Sequence, residues 1–120
     1  MSQCNDFSGM MYGKVGMTDM DGFADYKDKL FMFVEAKYGG CEIPMGQRIA
    51  LERLVRATSS PRRASIAIEI AHNTSGDIDF AGCEVVRYYW KGKWCDFSGM
   101  TLREFTDKLL AKYAPEVMYQ

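Results

Sequence analysis

The run Leu30-Phe31-Met32-Phe33-Val34-Glu35-Ala36-Lys37 constrains this chain more than any other. A β-strand sends alternate side chains to opposite faces, so a strand that is apolar at every position must be covered on both. The first five residues fit that description, and the run reads as a central, doubly covered strand. At Glu35 the pattern breaks, with a carboxylate and then an ammonium standing where the apolar run would continue. A charge held partly out of water needs a partner or a metal. Strand parity alone puts Glu35 and Lys37 on one face.

Upstream, residues 20–26 alternate, with Asp21, Phe23 and Asp25 set against Gly22, Ala24 and Tyr26, and the turn-like Lys27-Asp28-Lys29 follows. A three-residue turn there places Asp21 opposite Glu35 on the same face, whereas a two-residue turn sends it to the other face. Asp19 and Asp25 flank Asp21, and either takes its place if the register differs.

The remaining elements follow from periodicity. Pro44 and Gly46 lead into a helix over residues 47–57, with Ile49, Ala50, Leu54 and Val55 at helical spacing. Residues 64–71 (ASIAIEIA) alternate as a strand whose Ser65, Ala67, Glu69 and Ala71 face is small enough for a helix to pack closely. Asn73 to Asp77 is a loop. One strand or a pair of short ones runs over residues 84–94, interrupted at Gly92, and its aromatics Tyr88, Tyr89, Trp90 and Trp94 read as core before they read as a stacking surface for bases. A helix over Leu102–Tyr113 opens on a Thr101/Glu104 capping box and is limited by Pro115. The sum is an α/β fold, a mixed central β-sheet flanked by helices. Residues 4–10 (CNDFSGM) are echoed by residues 95–100 (CDFSGM), too short a match to make a repeat architecture.

With 120 residues the chain makes one domain, residues 1–120. Its 48% apolar and 26% charged residues exclude disorder as the default state. The net charge of −1 denies it a global attraction to nucleic acid, so such a role needs a local basic patch. Arg48, Arg53, Arg56, Arg62 and Arg63, against the single acid Glu52, supply one that suits backbone phosphates, and a solvated helix face is the competing reading. No apolar run approaches the roughly 20 residues of a membrane span, and no secretory signal is legible, so the expected compartment is the cytoplasm. There Cys4, Cys41, Cys83 and Cys95 are most simply free thiols, and together with the sole histidine, His72, they lack zinc-ligand spacing.

Asp21, Glu35 and Lys37 suit phosphodiester hydrolysis. That reaction asks for a divalent metal, an activated water and positive charge near the attack. Magnesium prefers oxygen and keeps several waters, so the carboxylates of Asp21 and Glu35 with the carbonyl of Ala36 suffice to hold it. Lys37 then orients the water or stabilises charge on the phosphate.

An acid on one strand, then Glu35-Ala36-Lys37 on the next, then a helix, resembles the PD-(D/E)XK nuclease superfamily, and residues 18–54 look particularly like small phage-borne, resolvase-like or VRR-NUC-like members. The resemblance implies a restriction-endonuclease-like core, with Asp21 and Glu35 as ligands of Mg2+ or Mn2+, Lys37 as the catalytic lysine and Gln47 near the active site. It departs from the family signature at Met20, which stands in place of proline as is common in this divergent group, at Leu51, where relatives carry tyrosine, and in offering no upstream glutamate. The expected activity is hydrolysis of DNA, by an endonuclease or branched-DNA resolvase rather than an exonuclease, in the host cytoplasm if phage-encoded, with a homodimer as the expected assembly and no membrane contact. The alternative is a catalytically weak relative that binds DNA or inhibits a protein partner.

Overall fold

The computed structural model describes residues 9, 11–13, 20–38, 43–72 and 79–119. Cys4, Cys41, Asp19, the loop from Asn73 to Asp77 and the echoed residues 4–8 and 10 lie outside them. Five strands, β1 (Gly22–Tyr26), β2 (Leu30–Tyr38), β3 (Ala64–His72), β4 (Glu84–Trp90) and β5 (Lys93–Asp96), form one sheet in the order β1-β2-β3-β4-β5. β2 and β3 run parallel, and the other neighbours are antiparallel. Parallel neighbours need a crossover, which α1 (Met45–Thr58) supplies. Helix α2 (Leu102–Tyr113) follows the sheet, and Pro115 opens a further turn, α3 (Pro115–Met118), rather than ending the helical region. Among the described residues no helix is long and apolar enough to cross a membrane.

Alternation along the strands builds two cores. Leu30, Met32 and Val34 of β2 join Ile66, Ile68 and Ile70 of β3 and Val85 of β4 beneath Phe105 and Leu110 of α2. On the other face Phe33, Ala67 and Tyr89 lie beneath Leu51 and Val55 of α1. Both faces of β2 are therefore covered, as its unbroken apolar run requires. Ala67, fully buried, is the small residue that lets α1 approach β3. The capping box forms, with Glu104 N–H donating to Thr101 Oγ1 at 3.2 Å and Thr101 N–H donating to Glu104 Oε1 at 2.9 Å.

Two turns set the register. Tyr26 pairs with Leu30, so the β1–β2 turn holds Lys27, Asp28 and Lys29. Lys27 and Asp28 adopt φ of 56° and 61°, the left-handed pair of a tight turn closed by Lys29 N–H on the Tyr26 carbonyl at 3.1 Å. β4 and β5 are separate strands joined through Lys91 and Gly92, both at positive φ.

Candidate active site

The three-residue turn puts Asp21, directly before β1, opposite Glu35. Asp21 N–H donates to Glu35 Oε1 at 3.2 Å, and Ala36 N–H donates to Asp21 Oδ2 at 2.7 Å. These two bonds extend the β1–β2 ladder through side chains and aim both carboxylates at one end of the α1-facing surface. Asp25 shares that surface, but its Oδ1 accepts from Asp28 N–H at 2.7 Å and serves the turn.

The register continues the line. Glu35 pairs with Glu69 across β2 and β3, Glu69 with Arg87 across β3 and β4, and Arg87 with Asp96 across β4 and β5. A charged row, Asp21, Glu35, Glu69, Arg87 and Asp96, thus crosses the whole sheet beside the apolar row under α1. Glu69 is 1% exposed and Glu35 5% exposed, so two carboxylates are held out of water side by side. Cations compensate. Lys37 Nζ lies 3.2 Å from Glu69 Oε2, although at an angle that makes no hydrogen bond, and Arg87 Nη1 lies 3.7 Å from Glu69 Oε1. Arg87 Nε also reaches Asp96 Oδ1 at 3.5 Å.

A bulge admits Arg87 to the row. Residues two apart on a strand normally share a face, yet Val85 fills the α2-side core against Ile70 while Arg87 meets Glu69 on the α1 side. The register shift between Glu69 and Ile70 leaves Val86 as the extra residue and turns the two side chains to opposite faces.

Helix α1 brings the next components. Gln47, Leu51 and Val55 recur at i, i+4 and i+8, so Gln47 prolongs the buried stripe of Leu51 and Val55 into the first turn. Arg48 and Arg87 both set their guanidinium groups over the Trp94 ring, at 5.2 and 4.9 Å, while Trp94 Nε1–H donates to Glu52 Oε2 at 2.7 Å. Trp94 and Tyr89 are accordingly wall and core aromatics. The five arginines do not form one track. Arg48 lies beside the charged row, Arg53 is exposed on α1, and Arg56, Arg62 and Arg63 gather at the opposite end of the strands.

The donor set fits a hard divalent cation, since the carboxylates of Asp21 and Glu35 provide oxygen alone. Among the described residues no group of three or more His, Cys, Asp or Glu is assembled to hold a metal, so water and substrate oxygens would complete the shell. A thiol nucleophile is disfavoured at Cys83, because burial, followed by the nearby Asp79 carboxylate, pushes its pKa up and away from the thiolate. Asp79 itself caps a short 3-10 turn by accepting from Ala81 N–H at 3.1 Å. His72, the last residue of β3, packs its ring 5.0 Å from that of Tyr38.

Glu69 and Arg87 are the two members of the site that motif reading misses. Glu69 carries a signal of its own, as the single charge in the otherwise apolar or small strand ASIAIEIA. Arg87 carries none, because its face depends on the bulge. No family model, curated protein or solved structure matches this chain.

Proposed function

We propose that this protein is a divalent-metal-dependent nuclease that hydrolyses DNA phosphodiester bonds, an endonuclease or branched-DNA resolvase with a restriction-endonuclease-like core. The observation that carries the reading is the pairing of Asp21 with Glu35 on the face that also holds Lys37. Mg2+ or Mn2+ held by Asp21, Glu35 and the Ala36 carbonyl would supply a Lewis acid for the phosphate and a water of lowered pKa. Lys37 contributes positive charge beside the phosphate, and Glu69 fixes where that ammonium sits. Arg87 offsets the second charge of the Glu35/Glu69 pair, so the row tolerates two buried carboxylates. Gln47 stands in the first turn of α1, one helical turn before Leu51, and Arg48, steadied on Trp94, would contact the backbone phosphates of a bound strand. A homodimer would widen the short contact surface of one copy.

Cleavage of single-stranded, duplex and branched DNA in Mg2+ or Mn2+, with Glu35→Ala and Lys37→Ala alongside, tests the assignment. Loss of cleavage in both variants is expected, and cleavage that survives both removes the row from the mechanism. One observation favours a second reading, a protein that binds DNA or a protein partner without cutting: Lys37 is already engaged by Glu69 and Asp21 by the Ala36 amide. Tight binding without cleavage of any substrate would select it.

A further inference from the structure

At the opposite end of the sheet from the charged row lies a cleft of about 610 Å3, inside the roughly 300–1,000 Å3 range of small-molecule sites. Its position follows from the topology: Lys29 and Ala64, joined by an Ala64 N–H bond to the Lys29 carbonyl at 3.0 Å, mark the start of the parallel strands. Glu35 stands about 17 Å further along β2, at about 3.3 Å per residue. The end of α1, the turn before β3, the β4–β5 hairpin and the end of α2 close around this space.

Its lining has six cations and no carboxylate. Two of the cations are already engaged, Lys29 with Glu116 and Arg63 with Asp28. The other four, Arg56, Arg62, Lys91 and Lys112, come from four separate segments, and among the described residues they make no ion pair. Gathering like charges around one concavity is unfavourable unless an anion joins them, and the chain as a whole carries a net charge of −1. The cleft also has an aromatic wall, where the Trp90 and Tyr113 rings lie 5.6 Å apart. Lys91 sits 5.6 Å over the first ring and Lys112 5.3 Å over the second. Cations held on aromatic faces beside an open volume suit a ligand with a polyanionic part and a planar part.

We propose that this cleft is a binding site for a phosphorylated nucleoside, its phosphates taken by Arg56, Arg62, Lys91 and Lys112 and its base lying against the Trp90/Tyr113 wall. The ligand is either a free nucleotide or the 5′-phosphorylated end of a strand, two sources of one chemistry. The site stands apart from the carboxylate row and does not depend on the row being catalytic.

Calorimetric titration of the full chain with ATP, with sodium tripolyphosphate and with a short 5′-phosphorylated oligodeoxynucleotide tests the proposal. Saturable binding of ATP or of the oligonucleotide is expected, and whichever binds more tightly identifies the source. Arg62 and Lys91 are exposed, so an Arg62→Glu/Lys91→Glu variant should keep its circular dichroism and lose at least tenfold in affinity. Trp90→Leu should weaken ATP while leaving tripolyphosphate unchanged, and Arg103→Gln, an exposed cation outside the cleft, should leave all affinities intact. No saturable binding of any probe, tripolyphosphate bound as tightly as ATP, full affinity in the charge-reversed variant, or loss of binding in Arg103→Gln would each overturn the assignment.

Discussion

Glu35 and Glu69 occupy the same rung of the parallel β2–β3 ladder, and both are buried, at 5% and 1% exposure. Two adjacent carboxylates withdrawn from water repel each other and lose hydration, so the rung persists only with the charge that Lys37 and Arg87 bring to Glu69. Within the charged row, Glu69 and the two cations Lys37 and Arg87 form one unit, and these three should fail together.

Glu69→Gln keeps the shape of the side chain but leaves two cations facing a neutral amide. Lys37 and Arg87 keep partial access to water, Arg87 keeps Asp96, and the repulsion with Glu35 is relieved, so the loss falls below that of a fully buried pair and urea unfolding should report about 1–3 kcal/mol. The double variant Glu69→Gln/Arg87→Met should recover part of it, because the second change removes a cation left without its carboxylate. Equal or greater loss in the double variant would show that Arg87 does not act through Glu69.

Asp21→Asn separates the structural from the chemical role of that side chain. The amide oxygen still accepts from Ala36 N–H, so stability should change by no more than about 0.5 kcal/mol. The anionic donor is gone, and Mn2+ affinity should fall by about tenfold or more. Cleavage should fall by about a hundredfold or more. Titration of Mn2+ by calorimetry, beside thermal unfolding, distinguishes these effects from general destabilisation.

The turn that sets the parity of β1 has a non-glycine residue at positive φ at both Lys27 and Asp28. Asparagine tolerates that region better than lysine, so Lys27→Asn should stabilise by about 0.5 kcal/mol and raise Tm by about 2 °C. Lys27→Val should lower Tm, since a β-branched side chain fits that conformation worst.

Glu116 gives a pH dependence of defined sign. Its hydrogen bond to Lys29 is the first cause holding its carboxyl below the ordinary carboxylate range. A depressed folded-state pKa contributes stability that is present above the unfolded value and is lost as pH falls through the folded one. The stability difference between wild type and Glu116→Gln should therefore be constant from neutral pH to about pH 5 and shrink to nothing in stronger acid. Both partners are partly exposed, so salt should shrink it as well. Denaturant midpoints across pH provide the measurement.

Legibility in the sequence differs by residue for physical reasons. Leu30 to Val34 announce a strand covered on both faces because burial tolerates no polar residue there, and Thr101 with Glu104 announces a helix start because the orphan amides are satisfied locally. Lys91 and Gly92 mark a hairpin where the sequence leaves one strand or two open, and Pro115 begins a helical turn where it reads as a stop. Asp21 is legible as a candidate and conditional on the turn, and the three residues between Tyr26 and Leu30 put it on the face of Glu35. The arginines read as one patch because they are close in sequence, yet α1 spans the sheet from end to end and carries Arg48 and Arg56 to opposite ends of the strands.

By itself the sequence determined the double coverage of β2, the capped start of α2 and the common face of Glu35 and Lys37, all of which depend on neighbours a few residues apart, whereas Ile49 and Leu54, read as part of the apolar stripe of α1, stand exposed and leave the stripe to Leu51 and Val55. Only the tertiary structure decided that Asp21 meets Glu35, that Glu69 stands beside Glu35, and that Arg87 reaches Glu69 past the bulge at Val86. Those contacts join residues far apart along the chain. They depend on strand register and on one inserted residue, and either can move a side chain to the other face of the sheet without altering any local pattern.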